Sequence, residues 1–283
     1  MPDLPCTRLI GAIGAQCRGI DVRTLAAEDV RRAMTASQLL VFRDQQLTPA
    51  TLTEFAARLG ELDRYPFAEP LDDAPYVVRV LKEPQDRANF GGAWHTDTAY
   101  LTRPPSYTLL YAKEVPEICG DTLFADLYGA YEEACTGLAP AQRERLDAMR
   151  VHCTASLVHD AQGAHAAVAG ERVARRPAAV ATEADHPLVR LHPDSGRRAL
   201  YVSLIHCAHI VGMSRAESLP VLERLHALIV RAENCTRLRW RAGTLAIWDN
   251  RCLLHNPLND YPGARREMQR VIVRGEVPLA GSG

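Results

Sequence analysis

The segment Leu39-Leu40-Val41-Phe42 is an unbroken apolar run of strand length. Beyond it the apolar positions take up the spacing of a helix. Thr48 offers an N-cap and Pro49 a first helical position. Leu52, Phe55, Ala56 and Leu59 then recur at helical spacing and Gly60 supplies a stop, which predicts an amphipathic helix lying on a sheet. A second helix is expected over 218–232, with Ser218 as cap, Pro220 in the first turn and Leu222, Leu225 and Ile229 along one face.

The rest of the pattern is dominated by short strands. Candidates are 76–81, 106–112, 121–125, 151–157, 188–192, 199–203, 238–241, 244–248 and 268–274, separated by turn residues. Leu238 and Trp240 alternate with Arg237, Arg239 and Arg241 before Ala242-Gly243, and Leu245 and Ile247 share a face after it. That arrangement predicts a hairpin with one side in the core. The whole reads as mainly β with flanking helices, an α+β sandwich, barrel or jelly roll. Residues 159–185 are Ala-rich and weakly periodic, so they read as a long, lid-like connection within a single domain spanning 1–283.

Charge adds exclusions. With 33 Lys+Arg against 34 Asp+Glu, the formal charge of −1 gives no electrostatic reason to expect nucleic acid or an anionic membrane as partner. No apolar run approaches the ~18 residues of a membrane span. The opening MPDLPCTRLIGAIG has neither a basic leader nor a long apolar stretch, so a cytoplasmic location is expected. Eight cysteines without a C-x-x-C pair read as reduced, mostly buried thiols. Metal chemistry would therefore fall to the ten histidines with carboxylates.

Two stretches match His-x-Asp. His192-Pro193-Asp194 runs into Ser195-Gly196, a turn sequence that would point Asp194 to solvent. His95-Thr96-Asp97 is the better ligand pair, because positions i and i+2 of an extended segment project from one face. His255 is a candidate third donor. Two histidines and one carboxylate leave three positions open on an ion, as in non-haem Fe(II) oxygenases. Further on, Arg266, Met268, Arg270 and Ile272 would share one face of a strand, which makes the two guanidiniums either buried cations needing anions or part of a solvated edge.

Taken together, these stretches resemble the taurine dioxygenase-like (TauD/TfdA) family of Fe(II)- and 2-oxoglutarate-dependent dioxygenases. The likeness is carried by Trp94-His95-Thr96-Asp97, Pro104-Pro105 with Leu110-Tyr111-Ala112, and Gly120-Asp121-Thr122-Leu123-Phe124. It continues through His186-Pro187-Leu188-Val189-Arg190, Ala199-Leu200-Tyr201-Val202, and Trp248-Asp249-Asn250-Arg251 to His255, Arg266 and Arg270. The resemblance implies a double-stranded β-helix core with Fe(II) held by His95, Asp97 and His255. It also implies that Arg266 and Thr122 bind the distal carboxylate of 2-oxoglutarate, and that Arg270 lies between the co-substrate's proximal carboxylate and the substrate. O₂ would be the second co-substrate, succinate and CO₂ would be formed, and an unactivated C–H would be oxidised, most simply hydroxylated. A homodimer or tetramer is expected on the same ground.

Departures from the family pattern bear on the substrate. Sulfonate-using members carry a histidine shortly after Gly-Glu-Leu and an asparagine before Trp-His; here those places fall near Tyr65 and Gly91. A pocket phenylalanine is replaced by His206. These differences argue against taurine and for a carboxylate, amino acid or secondary-metabolite intermediate, in a pocket lined by Tyr65, Phe67, Tyr100 and His206. Two other readings of the same residues stand beside this one: a zinc-type metallohydrolase on the same triad, and a non-catalytic jelly-roll binding protein.

Overall fold

A computed structural model describes residues 4–160 and 181–281. Its largest sheet has nine strands. In spatial order these are Cys6–Arg8, Ala15–Cys17, Leu39–Phe42, Leu245–Asp249, Tyr107–Glu114, Arg266–Val273, Ala74–Lys82 and Pro70–Leu71, with Leu62–Asp63 pairing to Arg266–Val273. A three-stranded sheet of Cys235–Leu238, Thr122–Asp126 and Leu253–Pro257 lies against it. Two more three-stranded sheets are built on Arg150–Thr154 and on Val189–Leu191. This is the mainly β architecture with flanking helices that the strand pattern predicts, with the jelly-roll core that the resemblance implies.

Alternation along the central strands explains the layering. Leu40, Phe42, Leu109, Tyr111, Leu245 and Ile247 pack on one side, against Val30 and Met34 of the helix Ala27–Ser37 and Leu52, Phe55 and Ala56 of the helix Pro49–Leu59. Leu39, Val41, Leu110, Ala112, Ala246 and Trp248 point to the opposite side, where they meet Phe124, Leu238 and Leu253 of the small sheet. A strand covered on both faces needs apolar residues throughout, which is why Leu39–Phe42 shows no polar position. The predicted helix is Pro49–Leu59, with the Thr48 side chain accepting from the Thr51 N–H and Gly60 at its end. Its fully buried Leu52 and Phe55 each contribute on the order of 2 kcal/mol of hydrophobic stabilisation.

Several expectations are corrected. Leu238 and Trp240 are buried as foreseen, but the strand is Cys235–Leu238 and it pairs with Thr122–Asp126, while Leu245–Asp249 pairs with Leu39–Phe42 and Tyr107–Glu114. Ala242-Gly243 therefore crosses between sheets and closes no hairpin, because alternation fixes a strand's face without choosing its partner. The later helix is Arg215–Ile229, and its cap is Ser214, in a capping box with Glu217. Ser218 instead accepts from the Ile210 N–H at 2.9 Å and ties the helix to the strand Cys207–Ile210. The strand expected at 151–157 ends at Thr154 and gives way to the short helix Ser156–His159. Of the connection at 159–185, residues 161–180 lie outside the described residues, and the lid expectation lies there with them. Its far end is the strand Glu183–Pro187. Finally, not every cysteine is a free thiol: Cys6 and Cys17 sit opposite each other on paired strands and are disulfide-bonded.

Candidate active site

His255 lies in the strand Leu253–Pro257, opposite Phe124. Its ring is fixed by packing, 4.7 Å from Trp248 and 6.1 Å from Phe124 between centroids. His95 joins it through an isolated antiparallel bridge. The two imidazoles are 4.1 Å apart, and Asp97 Oδ1 lies 3.8 Å from His95 Nε2. All three side chains are buried, with donor atoms within 4.8 Å of one another. Asp97 is not on an extended strand as expected; it opens a turn in which Thr98 has φ 43° and the Leu101 N–H donates to Thr98 O.

The electrostatics suit a cation. His95 Nδ1 lies 2.7 Å from Ala93 O, which accepts its proton and leaves Nε2 with a lone pair toward Asp97. Burial lowers the pKa of both imidazoles, that of His255 further because His95 is adjacent. Burial alone would raise Asp97, but Arg270 and the two histidines outweigh it and hold the carboxyl at about 2. All three groups therefore present unprotonated donors at neutral pH. Gly91, at φ 73°, leaves space that a Cβ would fill: such an atom would lie 2.9 Å from His95 Cε1 and 3.2 Å from Nε2.

On one side of the triad, Thr122, Trp248, His255, Arg266 and Arg270 line a narrow cavity. Arg266 is buried, and its Nε and Nη2 have no hydrogen-bond partner among the described residues. Thr122 Oγ1 accepts from Trp240 Nε1 at 2.9 Å and keeps its own proton to donate. Arg270 reaches both sides. Its guanidinium lies over the rings of Tyr65 at 4.2 Å and Phe90 at 5.1 Å, and its Nε and Nη2 are also buried without partners. Its Nη1 meets Asp97 Oδ1 at 3.5 Å, so Arg266 is the guanidinium that still needs an anion, and a carboxylate matches its planar fork.

Across the triad is a second cavity, lined by Tyr65, Phe90, Tyr100, Val158, Ile205 and His206. Burial pushes the Tyr65 phenol up to about 12 and that of Tyr100 well above its usual 10, so both stay protonated. Tyr65, Tyr100 and His206 thus line the cavity beside the triad. Phe67 is one layer behind, stacked on His159 at 3.9 Å and edge-on to Tyr100. Phe90, Val158 and His159 had no distinguishing mark in the sequence, because a pocket-facing ring is patterned like a core ring.

The other His-x-Asp stretch is structural, as its turn sequence predicts, with Pro193 to Ser195 in a turn and Asp194 exposed. His192 Nδ1 accepts from the N–H groups of Asp194 and Ser195, and its Nε2–H donates to Asp249 at 3.0 Å. Asp194, while exposed, also pairs with Arg251 at 2.9 Å. With both ring nitrogens used and the Cys252 thiol pushed well above 9 by burial, the cluster His192, Asp249 and Cys252 offers no free donor for an ion.

A β-sandwich presenting two histidines and a carboxylate on one buried spot has the donor set of the non-haem Fe(II) oxygenases. The family described as taurine catabolism dioxygenase TauD, TfdA matches residues 3–272, and the chain belongs to that family. It is 33% identical to an alpha-ketoglutarate-dependent sulfate ester dioxygenase of Pseudomonas putida, over 96% of this chain and 90% of that protein. It is 31% identical to an alpha-ketoglutarate-dependent 2,4-dichlorophenoxyacetate dioxygenase of Cupriavidus pinatubonensis, over 89% and 91%. Among solved structures, a taurine dioxygenase from Burkholderia xenovorans superposes with a TM-score of 0.78 at 29% identity, covering 100% of this chain and 93% of that one.

Proposed function

We propose that the chain is a 2-oxoglutarate-dependent dioxygenase in which His95, Asp97 and His255 hold Fe(II), and Arg266 with Thr122 grips the distal carboxylate of 2-oxoglutarate. The observation that carries this reading is the pair of buried Arg266 nitrogens, without partners among the described residues, in a cavity that shares His95 and His255 with the triad. When bound, Fe(II), 2-oxoglutarate and O₂ supply the oxidising power, with succinate and CO₂ formed as a substrate C–H is oxidised.

The chain's own residues do the positioning. Arg266 sets the depth of the dicarboxylate by charge-assisted hydrogen bonds in a dry pocket, and Thr122 adds one donor. Trp248 and Phe124 stop the His255 ring from turning. Arg270, shared by both cavities, neutralises charge between co-substrate and substrate. Tyr65 and Tyr100 offer neutral hydroxyl donors on the substrate side, and the surrounding rings exclude water from the reacting carbon. The substrate in this reading is a small organic anion. The names of the relatives widen the expected carboxylates to sulfate esters and phenoxyalkanoates, and the places at Tyr65 and Gly91 still disfavour taurine. A zinc hydrolase on the same three ligands leaves Arg266 without a task, and so does a non-catalytic binding protein.

Among the described residues no helix is long and apolar enough to cross a membrane. The reading includes one catalytic domain over 1–283, working in the cytoplasm as a dimer or tetramer, which light scattering on the purified chain measures. The decisive test is anaerobic addition of Fe(II) and 2-oxoglutarate to apoprotein. A visible charge-transfer band, absent in His255→Ala, is expected; its absence from the wild-type chain overturns the reading. A succinate-formation screen over alkyl sulfates, phenoxyalkanoates and amino acids then identifies the substrate.

A further inference from the structure

The two oxygens of Asp97 have different surroundings. Oδ1 faces His95 Nε2 at 3.8 Å and Arg270 Nη1 at 3.5 Å. Oδ2 turns away and accepts from Thr108 Oγ1 at 2.5 Å. Thr108 is fully buried in the middle of the large sheet, opposite Trp248 on one neighbouring strand and Ile272 on the other. Its hydroxyl in turn accepts from Asn250 Nδ2 at 2.9 Å.

The direction of this chain is determined by its ends. Asn250 Oδ1 lies 3.0 Å from Trp248 Nε1 and 3.3 Å from the Asp97 backbone N–H, and both of those groups can only donate. The amide oxygen must face them, so the NH₂ faces Thr108. Having received that hydrogen, Thr108 directs its single proton to the carboxylate, which can only accept. Every polar group of Asn250 is engaged: its backbone N–H donates to Ser106 O at 2.8 Å and its carbonyl accepts from Thr96 Oγ1 at 2.7 Å. Asn250 is wholly buried and grips both residues that follow His95.

We propose that Asn250 and Thr108 are positioning residues that hold Asp97 as a one-oxygen ligand, the relay from Asn250 through Thr108 keeping Oδ2 occupied so that Oδ1 alone meets the cation. The proposal rests on the assignment of His95, Asp97 and His255 as ligands and adds to it the reason the carboxylate does not chelate. Without the Thr108 proton, Oδ2 is free to swing toward the ion and take a position that the co-substrates need. Partners of this kind typically contribute 10–100-fold in metal affinity.

The test is anaerobic titration with Co(II) alone, followed by absorption of the bound ion, whose ligand-field bands report coordination number independently of turnover. Thr108→Val keeps the shape and removes the proton. It is expected to bind Co(II) about 10–100-fold more weakly than wild type, with altered bands. Thr108→Ser restores the proton and is expected to return both to near wild-type values. Asn250→Ala should weaken binding in the same direction, and near-UV circular dichroism checks that its fold is kept. Wild-type affinity and unchanged bands in Thr108→Val overturn the relay while leaving the triad intact. Failure of the ligand assignment looks different: wild-type protein then takes up no Co(II), or His255→Ala binds it equally well, and the relay falls with the assignment.

Discussion

His95 and His255 exchange both backbone hydrogen bonds, N–H to O at 2.9 Å in one direction and 2.7 Å in the other. A single antiparallel bridge therefore sets the spacing of two imidazoles that are 160 residues apart in sequence (255 − 95). Because the bridge is main-chain, replacing either side chain should remove a donor while sparing the scaffold.

Arg266→Lys keeps a positive charge but loses the planar fork. Truncating one partner of a buried charge pair costs at least about 2 kcal/mol, so KM for 2-oxoglutarate should rise roughly 30-fold or more, with a smaller change in kcat at saturation. Initial rates of succinate formation over a wide range of 2-oxoglutarate give both constants. An unchanged KM removes Arg266 from the co-substrate site.

Gly91→Ala tests the close approach to His95. The added Cβ falls 2.9 Å from Cε1 in a backbone conformation of φ 73° that L side chains rarely adopt. The backbone alone is worth about 1–2 kcal/mol, and displacing the ring should also weaken metal binding. Thermal melts of the apo and Co(II)-loaded variant separate the two effects: the apo melt drops, and the gain on loading shrinks.

Tyr65→Phe and His206→Ala act on the substrate cavity alone. Both should raise KM for the primary substrate and lower the yield of oxidised product per succinate, without changing the Fe(II)–2-oxoglutarate band. Full coupling with unaltered KM in both variants would empty that side of the site of its assigned role.

Stability should fall on mild acidification. Burial lowers the pKa of His186 and His226 from 6.5 to about 4, so between those values the unfolded chain binds protons that the folded chain does not. Unfolding free energy of the apoprotein should therefore be level above pH 6.5 and decline from there toward pH 4, by up to about 1.4 kcal/mol per pH unit for each imidazole. Urea unfolding at a series of pH values measures the slope, and His226→Gln should make it shallower.

What the sequence disclosed follows from how local each signal is. The helix Pro49–Leu59 was legible because cap, proline, apolar stripe and glycine lie within one short stretch. Burial of Leu238 and Trp240 was legible from alternation, but their partner strand was not, since pairing is decided by a sheet assembled from distant segments. Ser218 reads as a cap because Ser precedes the apolar stripe there, yet Ser214 has the glutamate three residues on that completes the box. At the site, His95, Asp97 and His255 stood out as ligand types in an ordered set of motifs. Asn250 did not: it lies within Trp248-Asp249-Asn250-Arg251, but a buried amide that organises others has no pattern of its own until the strands are side by side.

The donors are mounted on different layers. His255 belongs to the small three-stranded sheet, whereas the Asp97 carboxylate is tethered to Thr108 in the nine-stranded one. In the proposed reading, a cation held by both would work as a rivet through the sandwich, resisting the shear and breathing by which two packed sheets loosen. Loading the ion should therefore slow amide hydrogen exchange in Leu253–Pro257 and Tyr107–Glu114 together, well beyond the side chains that touch it.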